Sequence, residues 1–190
     1  MGKEELLVSH IFIINGYQTI GEPKGKLNAT LVHEMERVLS EHNEVKVTAI
    51  DNGYDIKQEQ EKFLWADIII FQTPVYWFNV PNLLKKYIDE VYEYGIFFGS
   101  SEKYGRGGLL TDKKYMLSTT WNGPLEAFEE DDAFLSGKTV DDVFLGFHKT
   151  QEFVGFKPLE TFSCHDVVHH PKVDEYIERL RAHLKKEIGV

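Results

Sequence analysis

The stretch that most constrains this chain runs from residue 66 to residue 91. Ala66-Asp67-Ile68-Ile69-Ile70-Phe71 is an apolar, β-branched run too short for a buried helix, and it predicts a central parallel strand covered on both faces. From Asn82 onward, apolar residues at 83, 84, 87, 88 and 91 keep the spacing of one helical face, and Pro81 suits the start of that helix. Between the two hangs Gln72-Thr73-Pro74-Val75-Tyr76-Trp77-Phe78-Asn79-Val80, stiffened by proline and carrying three aromatic rings in a row. A loop at the C-terminal end of a buried parallel strand is where open α/β sheets bind ligands. Three adjacent rings on so short a loop cannot all point inward. At least one of Tyr76, Trp77 and Phe78 is therefore expected to line a site for a flat, amphipathic ligand.

The rest of the chain repeats the same alternation. Strands are expected at 10–14, 45–50, 114–120 and 159–164 in addition to the organising one. Helices are marked by Leu27, Leu31, Met35 and Leu39, by 55–65 with Asp55 and Gln58 at capping-box spacing, by 140–154, and by Val173, Tyr176, Leu180, Leu184 and Ile188. Alternating strands and helices over 190 residues predict one domain spanning 1–190. Its expected class is α/β, a flavodoxin-like three-layer sandwich whose five-stranded parallel sheet has the order 2-1-3-4-5. Segment 94–108, rich in glycine and aromatics, reads as a functional or mobile insertion, and the acidic run 129–132 as a solvated face.

Charge narrows the partners. With 31 acidic against 21 basic residues and a net charge of -10, no basic face could dominate, which argues against nucleic acid and anionic membrane. The single cysteine, Cys164, excludes an internal disulfide and suits a reducing compartment. Residues 1–8 are too short and acidic for a signal peptide, and no apolar run approaches the roughly 20 residues of a membrane span. A cytoplasmic location without membrane insertion is the expectation.

In the order 2-1-3-4-5 the loops after strands one, three and four meet at one edge. A helix starting near Lys26 presents free N–H groups and a positive dipole end to phosphates. Lys24 and Lys26 add charge there, Asn28 and Thr30 add side-chain hydrogen bonds, and Gly25 allows close approach of the backbone. The length and lysines of that loop suit a diphosphate better than a single phosphate. Thr120-Trp121-Asn122-Gly123 brings a hydroxyl, an amide and backbone N–H groups suited to the pyrimidine side of a flavin, and Tyr104 is placed to border the ring from the insertion. No Gly-x-Gly-x-x-Gly follows the first strand, and neither a Walker A loop nor a Gly-x-Ser-x-Gly elbow is present. Cys164, His165, His169 and His170 match no zinc spacing, so no metal is expected, and a thiol within an apolar strand reads as inert core.

These pieces carry a resemblance. Ile13-Ile14-Asn15-Gly16, Lys26-Leu27-Asn28-Ala29-Thr30-Leu31, Asp51-Asn52-Gly53-Tyr54-Asp55-Ile56, Lys103-Tyr104-Gly105 and Lys113-Lys114-Tyr115-Met116-Leu117-Ser118 with Thr120-Trp121-Asn122 stand in register with the flavodoxin-like NAD(P)H:quinone oxidoreductases, over nearly the whole chain. The resemblance implies a homodimer with one FAD per subunit, the partner completing each site. It also implies two-electron reduction of quinones by NADPH or NADH. The expected course is ping-pong: hydride passes from the nicotinamide to flavin N5, and the quinone is served after the nicotinamide leaves. Carried onto this sequence, the FAD contacts are Pro23, Lys24, Gly25, Lys26, Leu27, Asn28, Ala29 and Thr30, then Pro74, Val75, Tyr76 and Trp77, then Tyr104, then Thr120, Trp121, Asn122 and Gly123. Trp77 and Tyr104 are expected to shape the stacking slot. Val75-Tyr76 stands where close relatives have Gly-Trp. Pro124-Leu125-Glu126-Ala127-Phe128 offers neither the tyrosine nor the histidine that mammalian quinone reductases place soon after the fourth-strand loop, so no protein acid or base is assigned. Two alternatives are an FMN-dependent azoreductase-type reductase and a flavin-binding regulatory module of a membrane transporter.

Overall fold

The structure is a computed structural model describing residues 8–19 and 25–189. In chain order its elements are β1 (His10–Asn15), α1 (Lys26–Leu39), β2 (Glu44–Ala49), α2 (Ile56–Trp65), β3 (Ile68–Pro74), α3 (Asn82–Val91), β4 (Lys114–Thr120), α4 (Glu126–Glu129), α5 (Val140–Val143), α6 (Leu145–Val154), β5 (Lys157–Pro158), β6 (Phe162–Cys164) and α7 (Val173–Ile188). Every strand pairing is parallel, and the sheet runs β2-β1-β3-β4-β5, with β6 also on β4. The order 2-1-3-4-5 is therefore the one expected, but the fifth strand is in two pieces. Leu159 N–H still donates to the Tyr115 carbonyl (2.8 Å) just past Pro158, regular pairing then lapses, and it resumes where Phe162 meets Ser118.

The pleat sorts the apolar side chains into two cores. Ile11 and Ile13, Ile68 and Ile70, and Met116 face α1 and α7, meeting Leu31, Met35, Leu180 and Leu184. Phe12 and Ile14, Ile69 and Phe71, and Tyr115 and Leu117 face the opposite layer with Phe63, Leu84, Tyr87 and Phe147. Covering on both faces is why these strands read as continuous apolar runs rather than alternating ones. Phe63 is the hub of the second core, edge-on to Phe12 (5.3 Å) and Phe97 (5.2 Å) and stacked with Phe156 (6.2 Å).

Local signals mostly placed their elements. Asp55 caps α2 by accepting from the Gln58 N–H at 3.0 Å, and Pro81 stands one residue before α3. The helix expected over 140–154 is broken at Phe144, whose buried ring turns the chain between α5 and α6. The 94–108 insertion is a structured arm. Gly99 N–H donates to the Gly107 carbonyl (2.8 Å), Phe98 bridges to Gly108, and Phe97 is buried in the core. The glycines allow that closure: a Cβ on Gly107 would stand 2.1 Å from the Gly99 carbonyl oxygen. No helix among the described residues is long and apolar enough to cross a membrane.

Candidate active site

The C-terminal ends of β1, β3, β4 and β6 are laced together. Gly16 N–H donates to the Gln72 carbonyl (2.8 Å), Val75 N–H to Thr120 (3.0 Å), and Trp121 N–H to Cys164 (2.8 Å). Gly25 stands at the head of α1 in the left-handed conformation (φ 62) and supplies no side-chain cap. The first-turn N–H groups of Lys26, Leu27 and Asn28 have no partner among the described residues, leaving a donor set for an anion. Gly25 also packs on Tyr17, since a Cβ there would meet the ring at 2.5 Å.

The aromatic loop is a tight hairpin. Tyr76 N–H donates to the Asn79 carbonyl (2.8 Å) and Asn79 N–H to that of Tyr76 (3.0 Å), with Trp77 (φ 51) and Phe78 (φ 60) at its tip. Two positive φ values define a primed turn that glycine and asparagine usually fill. Bulky residues there cost about 1–2 kcal/mol each. Trp77 is 94% exposed, while Phe78 leans on Phe134 (centroids 5.4 Å apart). Tyr76 is tied back by its hydroxyl to the Gln18 carbonyl (3.2 Å), and burial raises its pKa. Behind Trp77 opens a cavity of about 610 Å³ bordered by Tyr76, Asn82, Val143, Phe147 and Thr150.

Several expected site residues take other roles. The indole of Trp121 is 3% exposed and belongs to the core: its Nε1–H donates to Thr119 (2.9 Å), and the ring meets Phe128 and Phe144 edge-on and stacks on His165. Its main chain is engaged too, the N–H by Cys164 and the carbonyl by Val167 (3.0 Å), so it is the exposed Asn122 and half-buried Gly123 that reach the edge. Thr30 returns its hydroxyl to the Lys26 carbonyl (2.9 Å), and Asn28 is buried with both ends of its amide bonded inside the protein. Neither side chain is free for phosphate. Leu27 and Val75 pack against the cores, Pro74 is buried, and Ala29 faces out. Pro23 and Lys24 lie outside the described residues.

Tyr104 is not beside Trp77. It is 98% exposed over Phe153 (6.2 Å) and borders a groove of about 700 Å³ with Asp89, Tyr92, Phe98 and Lys149. That groove touches the last turns of α3, whereas the Trp77 cavity touches its first, at Asn82 and Lys85. The helix has 10 residues, so its ends are about 15 Å apart. The two rings expected to share one slot thus flank opposite ends of α3 in a single chain, joined by a trough through Ile88, Gly146 and Thr150.

The sequence reading missed Gln72 and Ser118, buried polar residues under the edge that are hydrogen-bonded to each other (2.6 Å). Cross-strand register was the signal, and it appears only once β3 and β4 are paired. Cys164 is fully buried, which pushes its thiol up to about 12. Among the described residues no group of three His, Cys, Asp or Glu side chains could hold a metal ion.

A doubly wound parallel sheet with its ligand edge at the β1/β3 switch point is the architecture of the Flavodoxin-like fold family, whose model matches residues 9–188, and the chain belongs to that family. It is 45% identical to the NADPH:quinone oxidoreductase MdaB of Haemophilus influenzae, over 95% of this chain and 100% of that protein. Among solved structures, a proposed quinone reductase from Klebsiella pneumoniae superposes with a TM-score of 0.79 at 24% identity, covering 94% of this chain and 84% of the other. General stress protein 14 of Treponema denticola, in complex with FMN, gives 0.69 at 22% identity, covering 95% and 98%. At these identities both structures speak to the fold alone.

Proposed function

We propose that this chain is a cytoplasmic, FAD-dependent NAD(P)H:quinone oxidoreductase acting as a homodimer. The observation that carries the reading is the 45% identity, end to end, with an NADPH:quinone oxidoreductase. The donor set fits a flavin: unpartnered N–H groups at the head of α1 for phosphate, an exposed indole for stacking, and Thr120 with the Asn122-Gly123 backbone for the polar side of the ring. The lysine at position 26 and the long loop before it favour the diphosphate of FAD. The FMN-bound neighbour makes FMN the second reading.

When bound, the flavin supplies the redox chemistry, taking a hydride from a reduced nicotinamide and giving two electrons to a quinone. The protein's part is to hold and to shield. Gly25 and the α1 first turn would seat phosphate, and Tyr76 anchors the hairpin through Gln18 so that Trp77 stays over the cavity. One stacking slot beside Trp77 would admit nicotinamide and quinone in turn, the order of a ping-pong reaction. A second copy docked on the α3–α6 trough by two-fold symmetry would bring its Tyr104 to this Trp77, supplying what one chain keeps at the far end of α3.

The test is to denature the purified protein and identify the released flavin by chromatography, then follow menadione reduction with both nicotinamides. FAD near one per chain and parallel lines in double-reciprocal plots are expected. FMN would overturn the cofactor assignment, and a protein that takes up no flavin after reconstitution would overturn the enzyme reading.

A further inference from the structure

Four polar side chains lie end to end beneath the ligand edge, within an otherwise apolar layer. The Ser118 hydroxyl donates to Gln72 Oε1 (2.6 Å), the Gln72 amide donates to Asn28 Oδ1 (2.8 Å), and the Asn28 amide donates to the Thr120 hydroxyl (3.1 Å). None is more than 4% exposed. Register makes the row possible: Gln72 is the cross-strand partner of Ser118, and Ser118 and Thr120, two residues apart, share the face that α1 covers. Every donor points the same way, from Ser118 through β3 and α1 back to the end of β4.

The row stops at Thr120. Its oxygen already accepts from Asn28, and its own O–H has no acceptor among the described residues. A buried hydroxyl in that state is costly unless something beyond the protein accepts its hydrogen bond. Apolar residues of similar volume would serve packing alone at least as well as four buried polar groups.

We infer that Ser118, Gln72 and Asn28 are positioning residues, a polarised hydrogen-bond chain that presents the Thr120 hydroxyl as a donor to the pyrimidine ring of a bound flavin. The inference rests on the flavin reading above. Hydrogen bonds aligned head to tail strengthen one another, so the terminal hydroxyl is a better donor than a threonine alone. A donor at that point stabilises negative charge on the ring and raises its reduction potential. Because Asn28 lies in the first turn of α1, the same chain ties the ring donor to the phosphate seat.

The experiment measures the dissociation constant of FAD and of FMN by fluorescence quenching, together with the visible spectrum and midpoint potential of the bound flavin. T120V should weaken binding roughly tenfold and shift the potential negative, with T120S restoring both. Q72M touches no ligand, yet should move the spectrum and potential in the same direction. The T120V/Q72M double variant should bind within about twofold of T120V, because the two changes act through one hydroxyl. A folded Q72M with wild-type spectrum and potential would overturn the inference, as would failure of T120S to rescue. If Q72M does not fold, S118A, which removes only the first donor, carries the same expectation at smaller size. Wild-type protein that binds neither flavin would overturn the flavin reading and this inference with it, whereas wild-type binding with insensitive variants overturns the inference alone.

Discussion

Glu34→Gln removes a carboxylate that holds α1 against α7 on one face of the sheet. Glu34 accepts from Arg37 Nη2 at 2.7 Å and Nε at 3.1 Å, and from Arg181 Nε at 2.6 Å. The hydrogen bond from Arg37 is the largest influence on its carboxyl, with Arg181 adding to it, and together they lower its pKa from 4.5 to about 2. A depression of that size, at about 1.4 kcal/mol per unit, corresponds to an upper bound of about 3.5 kcal/mol of stability. The arginine side chains are 47% and 50% exposed, so solvent screening reduces the expected contribution to about 1–2 kcal/mol. Because the folded-state pKa is depressed, the contribution is complete above the unfolded value near 4.5 and is lost as pH falls toward 2. Urea unfolding of both proteins should show the wild type more stable by about 1–2 kcal/mol at neutral pH, with less than half of that gap left near pH 3. A gap of the same size at both pH values, or none at neutral pH, would refute the electrostatic account.

Three further outcomes follow from the site and its surroundings. Trp77→Gly relaxes a left-handed residue, so it should raise stability by up to about 1 kcal/mol in thermal melts while lowering quinone turnover at least roughly tenfold; a fall in both would mean the indole is packing rather than function. Gly25→Ala sets a Cβ against Tyr17 at positive φ and should cost about 1–2 kcal/mol, with weaker flavin binding in a fluorescence titration. Tyr115→Phe removes the hydroxyl that meets His148 Nδ1 at 2.6 Å, near the N-terminal end of β4 and away from the ligand edge. It should cost about 1 kcal/mol in denaturant unfolding and leave the flavin dissociation constant unchanged.

What the sequence discloses depends on whether a signal is local. The run through Ile68, Ile69, Ile70 and Phe71 announces a doubly covered strand because hydrophobicity and β-branching act residue by residue, and the helix beyond Pro81 shows its own periodicity. The break at Phe144 is invisible along the chain, since it reflects a ring drawn into the core against Trp121 and Phe147. Trp121 shows the same limit: an aromatic at a strand end suits a ligand or a core equally, and Phe128, Phe144 and His165 decide it from distant segments. Asn28 and Thr30 carry the atoms phosphate needs, but Thr120, Gln72 and the Lys26 carbonyl already occupy them. Tyr104 is the clearest case, because a short sequence motif says nothing about which end of α3 its ring will flank.

The broken fifth strand bears on how this protein avoids sticking to itself. An open sheet offers two bare margins to neighbouring chains, and long, flat, apolar margins template fibrils. Here one margin is split into two short pieces, Lys157–Pro158 and Phe162–Cys164, and the proline in the first cannot donate to an incoming strand. The other, β2, is six residues long but carries the exposed charges of Glu44 and Lys46, the latter laid over Trp65 at 3.9 Å. Strand addition is thus discouraged on both flanks, so the sheet's margins are poor templates for open-ended, edge-to-edge growth.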